Sequence, residues 1–221
     1  MMAMRAKDYY LAPIYPMLFA AGGVFWEAIT QAGWRWIRVA LPVVVIVLAL
    51  PLLPVALPIF PADKVLAYEA FIGLQPPRTE VGMQSPLPQY FSDEFGWPEM
   101  VQAVGSVYWS LPPEERARAG IYAENYGEAG AVDFFGPRLG LPNAISAHQT
   151  YFYWGPRQFT GDVLIVLNED RQSLDQHCVT VTDGPWVGHP LSMFWERFRI
   201  YVCRGAHPPL PELWPRLKHW N

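Results

Sequence analysis

The chain has 221 residues with 16 Lys and Arg against 20 Asp and Glu, a net charge of −4, so it carries no basic surface and no nucleic-acid partner is expected. Its 52 % of hydrophobic residues is unevenly spread: the chain is oily before Asp63 and mixed after it, and the roughly 160 residues that follow make one compact domain rather than two. The histidines, His148, His177, His189, His207 and His219, are scattered with no C-x-x-C or H-E-x-x-H spacing, so neither a metal site nor a cofactor is expected.

At the N-terminus Arg5, Lys7 and Asp8 precede an apolar run from Tyr9 to Trp26. Two plans fit this segment. A basic start, an apolar stretch and the small residues Ala20 to Gly23 suit a signal peptide. Pro13, Pro16 and the paired Tyr9 and Tyr10 make a poor signal core, and aromatics at the start of a run suit a membrane interface, which favours a first span. The next stretch, QAGWRWIR, sets Arg35 and Arg38 beside Trp34 and Trp36, the pattern of a short cytoplasmic loop. From Val39 to Ala62 the chain reads VALPVVVIVLALPLLPVALPIFPA, with no charge. At 1.5 Å per residue it matches the ~30 Å hydrocarbon core of a bilayer. Pro51, Pro54, Pro58 and Pro61 argue against its being a buried helix of a soluble protein. Residues 1–62 therefore form two transmembrane helices and residues 63–221 an extracytoplasmic domain.

Asp63 is placed to cap a short helix, DKVLAYEAFIGL, stopped by Gly73. After a proline-rich loop, Trp97-Pro98 opens a helix whose Val101, Val104, Tyr108 and Leu111 recur at helical spacing and which Pro112 and Pro113 end. Strand-like runs follow at Gly120 to Asn125, Ala144 to His148, Val163 to Leu167, Val179 to Thr182 and Phe198 to Cys203. A helix from Glu128 to about Phe135 and a polar helix around Ser173 lie between them. This alternation argues an α/β domain with a largely parallel sheet. Cys178 and Cys203 sit in two of these runs and are either a disulfide of an extracytoplasmic domain or two buried thiols. The tail, PLPELWPRLKHW, either lies back on the membrane surface or packs on the domain.

Two stretches are candidates for chemistry. Lys7, at the mouth of a span beside Asp8, Tyr9 and Tyr10, is placed to meet an anionic head group, unless it only snorkels. Asn125-Tyr126-Gly127-Glu128 follows a strand and opens a helix, the position at which open α/β sheets bind ligands; the alternative is that Glu124 and Glu128 merely cap and solubilise. His148, the aromatic run Tyr151 to Trp154 and Arg157 line the same rim or else form a packing lid.

The run KDYYLAPIYPMLFAAGGVFWE resembles the late transmembrane segment of bacterial glycosyltransferases of family 39, related to the dolichyl-phosphate-mannose protein mannosyltransferases and the aminoarabinose transferases. Ile121 to Asn168, with CRG at Cys203 to Gly205 and ELWPRLKHW near the end, resembles their C-terminal extracytoplasmic domain, in the same order. The resemblance implies a GT-C fold membrane enzyme that takes a sugar from a polyprenyl phosphate donor and passes it to an acceptor outside the bacterial inner membrane. Lys7 would then face the donor's lipid phosphate and stabilise the charge developing there. The family's catalytic acid lies in an early loop with no counterpart here, so no catalytic residue is assigned. The expectation is a C-terminal fragment, inactive alone, whose partners are membrane lipid, the lipid-linked donor and the missing N-terminal part. The alternative is an independent membrane-anchored binding or sensory module.

Overall fold

A computed structural model describes residues 8–31, 33–57, 59–74 and 86–220, and the chain divides into two compact units, Met1–Pro88 and Gln89–Asn221. The division lies beyond the compositional change at Asp63. One reason is that Tyr68, just after that change, donates its hydroxyl to the carbonyl of Pro51 at 2.8 Å and ties its helix back to the apolar segment.

In the first unit a 3-10 turn, Asp8–Ile14, leads into α1 (Tyr15–Gln31). The helix α2 (Ile37–Ala49) runs through a 3-10 turn, Leu50–Leu52, into α3 (Leu53–Ala56). Together these make two stretches long and apolar enough to cross a membrane, Leu11–Gln31 and Ile37–Ala56, of 21 and 20 residues. Each is about 30 Å long, the depth of a bilayer core. Their side chains face outward: Phe19 is 76 % and Leu48 68 % exposed. The second stretch starts before Val39 and ends short of the expected Ala62, because Leu57 turns extended (φ −127, ψ 143), as the residue before a proline is pushed to do. Pro51 and Pro54 are tolerated because each falls at the opening of a new short helix, where the missing N–H costs nothing.

Arg38 fastens the two stretches together. Its Nε donates to Thr30 Oγ1 at 2.7 Å and a terminal nitrogen to the Glu27 carbonyl at 3.3 Å, so a cation meets the carbonyl end of α1, where the helix dipole favours it. The helix α4 (Ala62–Ile72) stops at Gly73, which is left-handed at φ 70. Asp63 lies in the first turn rather than at the cap, which Pro61 occupies.

The second unit opens with α5 (Gln89–Ser92), α6 (Trp97–Ser110) and α7 (Pro113–Arg116). Trp97-Pro98 starts α6 as expected, and Leu111 leaves it extended ahead of Pro112. There follow β1 (Ala119–Ala123), α8 (Tyr126–Phe135), β2 (Val163–Leu167), α9 (Arg171–His177), β3 (Cys178–Val187), β4 (Phe198–Ala206) and α10 (Leu210–Leu217). The sheet order is β1-β2-β4-β3. Only β1 and β2 are parallel; β4 runs antiparallel to both β2 and β3. The expected largely parallel sheet is therefore a mixed one, since the link from β3 to β4 holds only a 3-10 turn, Phe194–Glu196, and no crossover helix of the kind that returns a parallel strand.

The expected strand Ala144 to His148 is reduced to two isolated bridges, Tyr122 to Ile145 and His148 to His219. Between them Ser146 Oγ accepts from the His148 N–H at 3.2 Å and reaches the Glu124 carbonyl at 3.4 Å; a short hydroxyl side chain competes with the ladder.

Alternation along the strands builds two layers. Ile121, Ile165 and Ile200 face α6 and α8, with Val101, Val104 and Val132. Tyr122, Leu164 and Val166 face the other side, with Leu174, Leu210 and Trp214. Full burial of each large aliphatic chain contributes roughly 1.5–3 kcal/mol. The edge strand β3 carries a register break between Asp183 and Trp186.

Cys178 and Cys203 form a disulfide, with Cα atoms 5.6 Å apart and a separation of 25 in sequence, which resolves the two readings of the cysteines. It joins the edge strand to its neighbour. Replacing both by alanine is expected to cost about 3 kcal/mol, the loop entropy returned to the unfolded chain. Denaturant unfolding followed by tryptophan fluorescence checks this, and an unchanged midpoint would show that the bridge adds nothing to stability.

Candidate functional site

The parallel pairing Ala123↔Leu167 brings the residues that follow β1 and β2 out at one edge. Glu124 and Asn125 leave β1 there, and Asn168 and Glu169 leave β2. Asn125 caps α8 in a reciprocal capping box: its Oδ1 accepts from the Glu128 N–H at 2.9 Å, and Glu128 reaches back to the cap. Glu128 is fully buried. Its Oε1 accepts from Asn168 Nδ2 at 2.7 Å and Asn125 Nδ2 at 2.8 Å, and its Oε2 from the N–H groups of Glu124 at 3.1 Å and Asn125 at 3.4 Å. Asn168, left-handed at φ 58, also donates to the Trp195 carbonyl at 3.1 Å and so draws in the segment before β4.

His148 stacks on His219 at 4.7 Å and lies 5.1 Å from the half-exposed ring of Tyr126. Its Nδ1 accepts from the Tyr126 N–H at 3.4 Å, which places its proton on Nε2. That nitrogen is buried and has no partner among the described residues. His219 Nε2 lies 3.1 Å from the Glu124 carbonyl and 3.6 Å from its carboxylate.

The carboxyls here hold their protons unusually well. Burial pushes Glu128 up to about 7, partly offset by the amides of Asn168 and Asn125. Burial and then the neighbouring Glu169 carboxylate push Glu124 to about 7, with His219 pulling the other way. Burial, followed by repulsion from Glu128 and Asp93, takes Glu196 to about 8. His148 is lowered by burial and by His219. The edge can therefore exchange protons near neutrality and present both donors and acceptors to a polar ligand. Among the described residues no group of three or more His, Cys, Asp and Glu could hold a metal ion.

Of the residues read from the sequence, Asn125, Tyr126, Glu128 and His148 come together here. Arg157 does not: it lies over Trp154, 5.9 Å from the ring centre. Tyr9 and Tyr10 fall in the first 3-10 turn, and Lys7 lies outside the described residues. Sequence reasoning passed over Asn168, Glu196 and His219. Asn168 had a usable signal, a polar residue directly after an all-apolar strand. Glu196 and His219 reach the edge only through the β3–β4 link and the end of the chain. An apolar groove of about 100 Å³ is lined by Leu164, Val166, Leu174, Leu210 and the disulfide and shares only Glu169 with this edge. Comparison with family models, with curated proteins and with solved structures gives no match.

Glu128→Ala is expected to destabilise the second unit by about 3–5 kcal/mol, because it removes a carboxylate shared by several donors and leaves those donors buried without an acceptor. Denaturant unfolding measures this. A loss below about 1 kcal/mol would show that water replaces the carboxylate at little cost.

An unfolded glutamate releases its proton near 4.5, whereas the folded protein holds protons on Glu124 and Glu128 up to about 7 and on Glu196 up to about 8. The folded state thus binds more protons in that window, and stability falls as the pH rises from about 4.5 to about 8. Glu115, held low by Arg204, acts the opposite way below that window, and His148, lowered by burial, opposes the trend inside it but as one group against three. Thermal unfolding at pH 5 and pH 8 should give the higher midpoint at pH 5.

Proposed function

We propose that the chain is the C-terminal portion of an integral membrane glycosyltransferase that moves a sugar from a polyprenyl phosphate to an acceptor outside the bacterial inner membrane. The observation that carries the reading is the presence in one chain of two unburied apolar helices of spanning length and a disulfide-bonded α/β unit. Disulfides persist on the oxidising side of a membrane. Arg35 in the link and Arg38 in the first turn of α2 favour keeping that end in the cytoplasm, and two spans then return residues 63–221 to the outside. The resemblance of the first helix and of Ile121 to Asn168 to family 39 transferases supplies the chemistry.

In this reading Lys7 holds the lipid phosphate, and the edge formed by Asn125, Tyr126, Glu128 and His148 shapes the acceptor side. The catalytic group belongs to an N-terminal part, without which the portion is inactive. The test is sugar transfer from a polyprenyl phosphate donor by the purified parent enzyme, normalised to folded protein. Lys7→Ala is expected to remove a contact that strengthens as the phosphate departs, worth about 2–4 kcal/mol, or roughly 30- to 1000-fold in turnover. Equal turnover removes the phosphate role from Lys7, and a parent enzyme that transfers no sugar overturns the function.

A further inference from the structure

An exposed aromatic face joins the 3-10 turn Gln149–Trp154 to the segment that follows α10. Tyr153 is 64 % exposed, and Trp154 and Trp220 are each 59 % exposed. The Lys218 ammonium sits among them, 4.6 Å from the ring centre of Tyr153, 4.9 Å from Phe152 and 5.1 Å from Trp220, and donates to the Tyr153 hydroxyl at 3.0 Å. Arg157, exposed, lies over Trp154. The face is held from beneath: Trp214 is buried, stacks on Phe152 and donates its indole N–H to the Phe152 carbonyl at 3.0 Å. These exposed rings are therefore presented by a fixed support.

Among the described residues the ion pairs of the unit use Arg118, Arg171, Arg199, Arg204 and His219, and neither Lys218 nor Arg157 has a carboxylate partner. The contrast with Arg199 over Trp186 is instructive, because Arg199 is already neutralised by Asp183. In a chain of net charge −4, the two cations gathered beside three exposed aromatic rings stand out. Tyr and Trp rings with adjacent Lys or Arg are the groups that settle at the headgroup level of a bilayer, the rings among the glycerol and upper acyl atoms and the cations at the phosphates.

We propose that this face docks on the anionic phospholipid headgroups of the bilayer that the chain itself spans. The inference rests on the membrane-spanning part of the proposed function and not on sugar transfer. Attachment through the same chain keeps the face at high effective concentration near lipid, so a weak surface affinity suffices. Each cation near an anionic surface strengthens partition by roughly fivefold.

The test is photolabelling of the full chain in vesicles by a phospholipid bearing a diazirine near its headgroup, mapped by mass spectrometry. Vesicles of phosphatidylcholine alone are compared with vesicles that also contain phosphatidylglycerol. Labelling of residues 152–157 and 218–220 is expected to be several-fold higher in the anionic vesicles and to fall to the neutral level in Arg157→Glu/Lys218→Glu. Trp220→Ala, a change at an exposed ring, should lower labelling at its neighbours while the thermal midpoint stays unchanged. Labelling of Leu11–Gln31 and Ile37–Ala56 should be alike in both vesicles. If those helices are labelled and the aromatic face is not, or if lipid charge makes no difference to it, docking is overturned and the spans stand. If the helices themselves are unlabelled, the membrane reading fails and docking with it. Protection of Trp220 from an aqueous quencher by added oligosaccharide, with no lipid labelling, would assign the face to sugar and overturn the inference.

Discussion

The buried Glu128 carboxyl group is the constraint on which the rim at the ends of β1 and β2 depends. A carboxylate withdrawn from water is costly unless every lone pair finds a donor, and here amides and N–H groups from the end of β1, the cap of α8 and the end of β2 supply them. Because Asn168 also holds the Trp195 carbonyl, one buried carboxyl group fixes the mutual position of both parallel strands, the helix between them and the approach to β4. The His148 and Tyr126 rings stand on that support, since the N–H that meets His148 Nδ1 is the first of α8.

The two units solve different solvent problems. In β1 and β2 the chains are covered on both faces, whereas β3 and its neighbour β4 carry the exposed and polar side chains. In Leu11–Gln31 and Ile37–Ala56 most apolar chains are turned outward, and Thr30, buried, returns its hydroxyl to the Trp26 carbonyl at 2.7 Å while accepting from Arg38. That inversion suits hydrocarbon surroundings, in which polar groups must find partners within the protein.

Much of the architecture was legible from local pattern. Val163 to Leu167 is a strand over the residues its apolar run marks, and Trp97-Pro98 and Gly73 punctuate their helices as those residue types dictate. Glu128 was legible as lying at the opening of a helix, whereas Asn125, which caps it, read as the end of the strand before. The direction of β4 was not legible, because strand partners are chosen by the path of the connection, and the stretch from Gly188 to Arg197 shows no pattern of either kind. Ala144 to His148 looked like a strand because its composition permits one; the Ser146 hydroxyl took the bonds that would have extended the ladder. The role of Glu196 had no local sign, since its environment comes from residues distant in sequence. The cysteine pairing was open for the same reason: it depends on a separation in space.

The end of the sheet at β3 has a consequence for assembly. An edge strand offers unpaired N–H and C=O groups to any other extended chain. Here the register breaks between Asp183 and Trp186, Pro185 lacks an N–H to give, and Asp183 is held by both Arg171 and Arg199. An incoming strand would have to flatten the break, leave a carbonyl opposite proline unmatched and displace two guanidinium groups. This edge of the sheet is thereby closed to growth by strand addition, which keeps neighbouring copies from templating a continuous β-structure through β3.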